Sequence, residues 1–583
     1  MQDELLGSTF SPLLPDVLFT SASPKLKIAG IGTCIAEWLL DTARHMGHGA
    51  DHYLVRFAGE ALPRADWSAY DLVLVHITLR RATGVIDNDR GDGRNDLFHT
   101  DHLTDQQYKD ALAAVSAQIG RIIESTNAAV GAAAPVFYLS FIEPPAAYQG
   151  ILLNNRRKSL HHFVRSLNDG MAAMLEGLPN AHFIEMNDLV RYYGDGVASD
   201  AYELFLSHAG ITGSPGGHRL RASIVKRLMH AMSILRSEAP VKLIVTDLDN
   251  TLWKGVAAEM EEIDVHGLTE GWPLGYVEAL LEFKRRGGLL AISSKNDHAA
   301  TLKRFKEIWG SRLKIEDFCS VKINWKPKSN AIREILAETN LLPGSVLFID
   351  DNPREIEEVT RAFPEVRTLT GNPAVWRNVI FYAPQTQAAR ISDESSARTE
   401  MIQAKQQRDK LAGEMDHDSY LRSLDLSIRF DEIASIEHPK FARALELINK
   451  TNQFNSTGIR WSVGDFDAYL SQGGRLIGAS VTDKFSDNGL VALAAVRERE
   501  VTQMVMSCRV FGLGVEQALM HSVQSATQGV PLTLLFIETD KNKSCRVFLE
   551  QSPFSSGEGG TYFLSEPIPH PNWIGALHSA HGS

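Results

Sequence analysis

Three apolar runs in the middle of the chain, VKLIVT (241–246), GLLAISS (288–294) and SVLFI (345–349), each break off into charge or hydroxyl. The first meets Asp247, the second ends in Ser293 and Ser294, and the third meets Asp350 and Asp351. Runs this short and this apolar suit strands covered on both faces. Stretches with helical spacing near 275–286 and 297–309 separate them, so the pattern predicts a parallel α/β sheet. In open sheets of that kind ligands gather beyond the carboxyl ends of the strands. The polar clusters would therefore meet along one edge. In VTDLDNTLW, Asp247 and Asp249 stand two residues apart and repel each other, and a divalent cation is the natural offset.

The residue types suit phosphoryl transfer. Asp247 can attack phosphorus to give an aspartyl-phosphate. Asp249 can protonate the leaving oxygen and later activate water. Ser294 can bind a phosphoryl oxygen, and Thr251, Ser293, Lys295 and Asn296 complete a candidate phosphate-binding set. INWKPKSN offers Lys326 and Lys328 as cations that balance the transferring charge. Asp247, Asp249, Asp350 and Asp351 form an all-oxygen ligand set suited to Mg2+, with Asp351 the preferred direct ligand. Asn352 and Pro353 then open a helix that fixes the direction of the aspartates. The short stretch between Asp247 and GLLAISS leaves no room for a large cap domain, so the site is expected to be open.

This order of motifs, DxDxT, Ser, Lys, DD, resembles the haloacid dehalogenase (HAD) superfamily. The wording is closer still to the FkbH-like glyceryl transferase/phosphatase family. LDNTLWKGV, AISSKND, INWKPKS and FIDDNPREIEEV look like it, as do NKTNQFNSTGIRW, TDKFSDNGLVALAAV, MSCRVFGLGVEQALM and ETDKN. The resemblance covers about 238–583 and prefers Lys328 over Lys326, since it places the family's lysine there. It implies an enzyme that takes a glyceryl unit from 1,3-bisphosphoglycerate, dephosphorylates it and loads it onto the phosphopantetheine thiol of an acyl carrier protein, in polyketide biosynthesis. Ser293 stands where that family usually has cysteine, Ser486 where it commonly has glycine, and AAEMEEI lacks its acidic-Gly pair.

Around this centre the chain divides into blocks: 1–237, 238–392, a polar helical linker at 393–415, and 416–583. The first block, with strand-like KLKIAGIG, AYDLVLVHIT and PVFYLSFI and a helix in 106–126, reads as another parallel α/β domain. A long loop is expected at 80–103. Cys34, after IGTC, stands where an SGNH-hydrolase-like fold places its serine, and His208 or His218 where it places its histidine. Phe205 occupies the position of the expected aspartate, so the block is read as a degenerate scaffold that docks a partner. The last block reads as a largely antiparallel sheet with a helix at GVEQALMHSVQSA. Arg509, Gly512 and Gly514 in CRVFGLGVE resemble the phosphate cradle of the GNAT (N-acetyltransferase-like) fold. Coenzyme A or a carrier's pantetheine arm would suit that cradle. Cys508 beside it is a candidate acyl acceptor or a small buried hydrophobe. Thr451, Asn452, Gln453 and Asn455 could bind a hydroxylated acyl group or simply build a turn.

Of 583 residues, 44% are hydrophobic and 22% charged, and the formal net charge is −12, which argues against a nucleic-acid binder. Four cysteines without paired spacing, an N-terminus without a signal peptide and the lack of a long apolar run give the expectation of a cytoplasmic enzyme. The sequence-based reading is therefore a three-domain α/β protein: SGNH-like, HAD-like and GNAT-like in order. Its function is Mg2+-dependent delivery of a three-carbon acyl unit to a carrier protein. A phosphatase or acyltransferase for another phosphorylated acid using coenzyme A, and a non-catalytic docking module, are the alternatives.

Overall fold

The computed structural model describes residues 13–19, 24–57, 61–82, 100–145, 151–152, 156–194, 215–256, 262–389, 391, 398–527, 529, 531–575 and 578–580. They fall into two compact units. One is Ser21–Met232 with Val463–Asp465; the other is Met1–Thr20 with Ser233–Ser462 and Phe466–Ser583. The chain is mixed α/β, with two parallel sheets and a third, mixed one.

The Ser21–Met232 unit holds β1 (Lys27–Gly32), β2 (Gly49–Leu54), β3 (Leu72–His76), β4 (Val136–Leu139) and β5 (Ala181–Ile184). All pairings are parallel, in the order β2-β1-β3-β4-β5. The helix expected at 106–126 runs longer, Asp105–Val130, because Thr104 and Gln107 form a reciprocal cap at its start. Ile119, Ile122 and Ile123 from that helix pack with Val73, Val75 and Val136 of the sheet. Most of the loop expected at 80–103 falls outside the described residues. Cys34 opens the helix Cys34–His45 behind the N-cap Thr33 and is exposed. His208 lies outside the described residues. His218 lies in the helix Pro215–Leu235 with its Nδ1 2.8 Å from Arg221 Nη2.

The second sheet comprises β6 (Leu243–Thr246), β7 (Leu289–Ser294), β8 (Ser320–Ile323), β9 (Val346–Ile349) and β10 (Arg367–Leu369). Every neighbour is parallel, in the order β10-β9-β6-β7-β8. The chain moves outward from β6 to one side, then returns to place β9 on the other. The crevice between β6 and β9 is thus the point where strand order reverses, the place where such sheets bind ligands. Apolar side chains cover both faces, Ile244 and Ile292 on one, Val245 and Phe348 on the other. Between Asp247 and β7 the described residues form two helices, Val265–Thr269 and Trp272–Arg285, with no cap domain among them.

The third sheet has eight strands: β11 (Ser427–Ile433), β12 (Gly474–Thr482), β13 (Asp487–Arg497), β14 (Glu500–Met506), β15 (Leu532–Leu535), β16 (Phe554–Ser556), β17 (Thr561–Leu564) and β18 (His578–Ala580). Their order is β16-β17-β15-β14-β13-β12-β11-β18. It is antiparallel except where β14 meets β15 and β11 meets β18. The helix Val515–Ala526 buries Val515, Leu519 and Val523, the face expected from their spacing, in the core against the sheet.

The polar stretch 393–415 reads as a solvated linker, and this needs correction. Its helix, Arg398–Ala412, buries Met401, Ile402, Ala404, Lys405 and Arg408. Ile402 joins the apolar layer of the second sheet. Arg408 is buried against Asp483 in an ion pair, and its Nη2 donates to the Arg509 carbonyl at 3.2 Å. A composition that looks solvated conceals a helix that clamps two loops, because the long side chains that define it bury their stems and pair their heads. No helix among the described residues is long and apolar enough to cross a membrane.

Candidate active site

Adjacent parallel registers bring the polar ends of β6 and β9 together. Thr246 pairs with Ile349, and the Asp247 amide donates to the Ile349 carbonyl at 3.0 Å. Asp247, Asp350 and Asp351 each offer an oxygen, all within 4.8 Å of one another. Lys328, the first residue of the helix Lys328–Thr339, sends its ammonium into this group. Its Nζ lies 2.9 Å from Asp247 Oδ1 and also pairs with Asp350. Lys326 is exposed, so the preference for Lys328 is the one the geometry supports.

The electrostatics of this cluster are unbalanced. Burial pushes the Asp247 carboxyl upward despite Lys328 beside it. Burial and then the charge of Asp247 push Asp350 up to about 7. Asp351 is raised by the same two causes in the same order. Burial would lower Lys328, but Asp247 and Asp350 outweigh it and hold its ammonium charged. One lysine cannot offset three converging carboxylates. A divalent cation can, and a set of carboxylate oxygens at a polar crevice is what Mg2+ takes. Asp350 is fully buried and committed to Lys328 and to the Asn352 amide at 2.9 Å. Asp351 is less buried, which fits its preferred role as the direct ligand.

The other expected residues divide between the cluster and its supports. Thr251 Oγ1 accepts the Asp351 amide at 3.2 Å, so it fixes Asp351 rather than facing a phosphate. The Ser294 hydroxyl near Asp247 counters part of the upward push on its carboxyl. Asn296 Nδ2 donates to Ser294 Oγ at 3.0 Å and to Asp249 Oδ2 at 2.9 Å. Asp249 is not in the three-carboxylate group. Trp253 Nε1 donates to its Oδ1 at 2.8 Å, so both Asp249 oxygens already accept hydrogen bonds. Ser293 also departs from expectation. Alternation along β7 turns it to the other face from Ser294, where its hydroxyl is buried without a hydrogen-bond partner among the described residues. Lys295 departs too, because Glu355 takes its ammonium at 2.6 Å and ties β7 to the helix Pro353–Ala362.

The second expected group assembles elsewhere. Cys508, Arg509, Asn452 and Gln453 line one cavity of about 100 Å³, and Gly512 and Gly514 do not. Both glycines take positive φ, 76° and 80°, and a Cβ on Gly514 would meet Trp573 at 2.8 Å. They shape the turn into the Val515–Ala526 helix, while the Arg509 guanidinium contacts Met401 through Nη1. Asn455 builds a turn: its Oδ1 accepts the Gly458 amide and Gln503 Nε2, both at 2.9 Å.

The sequence reading missed Trp253 and Glu355, which orient the motif residues. Trp253 lies inside the motif DNTLW, but an apolar side chain there reads as core. It missed Lys242, Arg398 and Arg443 in the cavity, because each comes from a different segment.

No protein-family model matches the chain, and no curated protein does. Among solved structures, the N-terminal part of BF1531 from Bacteroides fragilis, containing a phosphatase domain complexed with Mg, is 18% identical. That match covers 63% of this chain and 94% of the other, with a TM-score of 0.45. A GCN5-related glucosamine N-acetyltransferase region of a fungal multi-domain GH3 β-N-acetylglucosaminidase is 10% identical with a TM-score of 0.17. That match covers 94% of this chain and 64% of the other. Likenesses of this size leave the functional reading to the geometry of the site.

Proposed function

We propose that the Asp247 centre is a Mg2+-dependent phosphoryl-transfer site of the HAD type. It removes phosphate from a phosphorylated three-carbon acid, and the chain delivers the acyl unit to an acyl carrier protein thiol. The observation that carries the first part is the meeting of Asp247, Asp350 and Asp351 around one point, with Lys328 behind them. Asp247, Asp351 and Asp350 would hold the ion. Bound there, it supplies charge neutralisation that lets a carboxylate approach a phosphoryl group.

The chain's own residues account for the remaining roles. Asp247 forms a bond to phosphorus as the bond to the leaving oxygen breaks. Asp249, fixed by Trp253 and Asn296, gives that oxygen its proton and afterwards takes one from a water whose oxygen bonds to phosphorus as the Asp247–phosphorus bond breaks and phosphate leaves. Ser294 and Lys328 hold the phosphoryl oxygens. In acyl transfer the carrier's sulfur bonds to the acyl-phosphate carbon, the carbon–oxygen bond breaks, and phosphate leaves. The resemblance of the quoted motifs to the FkbH-like family supports 1,3-bisphosphoglycerate as donor, a polyketide setting and a GNAT-like third sheet, while Cys34 after IGTC supports an SGNH-like first sheet. Four free cysteines accord with a reducing compartment.

Incubation with the labelled bisphosphate, Mg2+ and a phosphopantetheinylated carrier tests this reading. A glyceryl adduct on the carrier by intact-protein mass is expected, and so is loss of enzyme-dependent phosphate release in Asp247→Asn when the carrier is left out. Unchanged phosphate release in that variant would reject the site assignment. An unmodified carrier across several acyl phosphates would reject the loading step alone.

A further inference from the structure

The cavity that gathers Cys508 and Arg509 is lined by more cations than carboxylates among the described residues. Lys242, Arg398, Arg443, Lys450 and Arg509 line it, and the one carboxylate among the described lining residues is Glu446. Glu446 is already shared, 2.7 Å from Arg443 and 2.8 Å from Lys450. Burial would raise its carboxyl, but those two cations outweigh it and hold it well below the usual range. The others have neutral partners. Lys242 Nζ donates to the Lys450 carbonyl at 2.6 Å, Arg398 Nη1 to the Gly287 carbonyl at 3.2 Å, and Arg509 Nε to Ser507 Oγ at 3.1 Å. Burial, and then the neighbouring Arg398, pull Lys242 down to about 7; burial, and then Arg443 and Arg398, pull Arg509 down to about 9. Converging cations, half-buried except for the buried Arg509, that outnumber the carboxylate among the described lining residues are costly unless something negative binds among them.

This cavity is separate from the carboxylate centre. Lys242 and Ser345 precede β6 and β9, whereas Asp247 and Asp350 follow them. Five residues of extended chain put the two ends of β6 roughly 16 Å apart. The carboxylates occupy the carboxyl ends of the sheet and the cations its amino ends.

We infer that this cavity is a second ligand site, one that binds a phosphate group, either that of a small phosphorylated molecule or that of a pantetheine arm. Guanidinium forks and ammonium groups together match phosphate in charge and geometry. The cavity is larger than one water needs and of a size for one phosphate group. The inference stands independently of the phosphatase reading, since no residue is shared.

Cys508 in the cavity wall provides the reporter. Alkylation by iodoacetamide, followed by peptide mass, reads Cys508 and exposed Cys34 in the same full-length sample, while Cys319 and Cys545 are buried. At a phosphate concentration ten times Kd, labelling of Cys508 is expected to slow about tenfold with Cys34 unaffected. Inorganic phosphate, 3-phosphoglycerate and coenzyme A form three arms. Protection by either organic phosphate upholds the site, and the stronger of the two names its source. Lys242→Met and Arg398→Gln are expected to lose the protection and to melt higher than wild type without ligand, because a like-charge repulsion is removed. Equal labelling of Cys508 with and without all three compounds in the wild type would overturn the inference. So would variants that keep full protection.

Discussion

Asp249 keeps both oxygens occupied, one by the indole of Trp253 and one by the amide of Asn296. Trp253→Phe keeps the bulk and removes the donor. Losing one hydrogen bond to a charged group costs about 1.5 kcal/mol, so kcat for phosphate release is expected to fall about tenfold with KM unchanged. A change in KM alone would contradict that role. Lys242 gives a pH prediction. Unfolded, it holds its proton to the ordinary lysine value of 10.5; folded, burial and then Arg398, with Arg460 and Lys450 nearby and Cys508 opposing, bring it to about 7. Between those values the unfolded chain binds the extra proton, so this residue makes stability rise with pH across that window. Denaturant titrations of wild type and Lys242→Met at several pH values should differ in that slope. The meeting of Asp247 with Asp350 and Asp351 was legible from their places at strand ends, and Lys328 was singled out by the resemblance of its motif. The offset of Ser293 from Ser294 was not, since adjacent serines look alike until the pleat assigns each a face.

At the scale of elements, apolar runs revealed the strands that lie inside the parallel sheets. The four that escaped notice, β2, β5, β8 and β10, are the four edges of those sheets. GADHYL, AHFI, SVKI and RTL lack a continuous apolar run because an edge has one neighbour and partial cover. The helix Arg398–Ala412 was legible as a helix but not as a buried one. Its Arg408 pairs with Asp483, whose Oδ1 also accepts the Phe485 amide at 2.8 Å. Arg408→Ala strands that carboxylate and is expected to cost about 3 kcal/mol in denaturant unfolding. Replacing both partners with apolar residues should recover most of the loss. If the double variant is no better than the single, the pair is not what holds the loop.

Across the whole molecule, charge is distributed against the average. A chain with a formal net charge of −12 collects five cations around one cavity at the amino ends of the sheet whose carboxyl ends collect three carboxylates. Removing divalent metal with a chelator is therefore expected to abolish phosphate release while leaving phosphate protection of Cys508 intact. Loss of both together would mean that the two ends are linked. The cavity itself could not be read from sequence order: Lys242, Arg398 and Arg443 are far apart along the chain and none stands in a recognisable motif.

The clasp made by Arg408 also governs how the polypeptide can be dissected. A fragment beginning at residue 416, where composition invites a cut, would keep Asp483 and discard its guanidinium. Expressed alone, such a piece would meet the cost of an orphan anion in its interior, whereas one starting ahead of Arg398 would carry its own counter-ion.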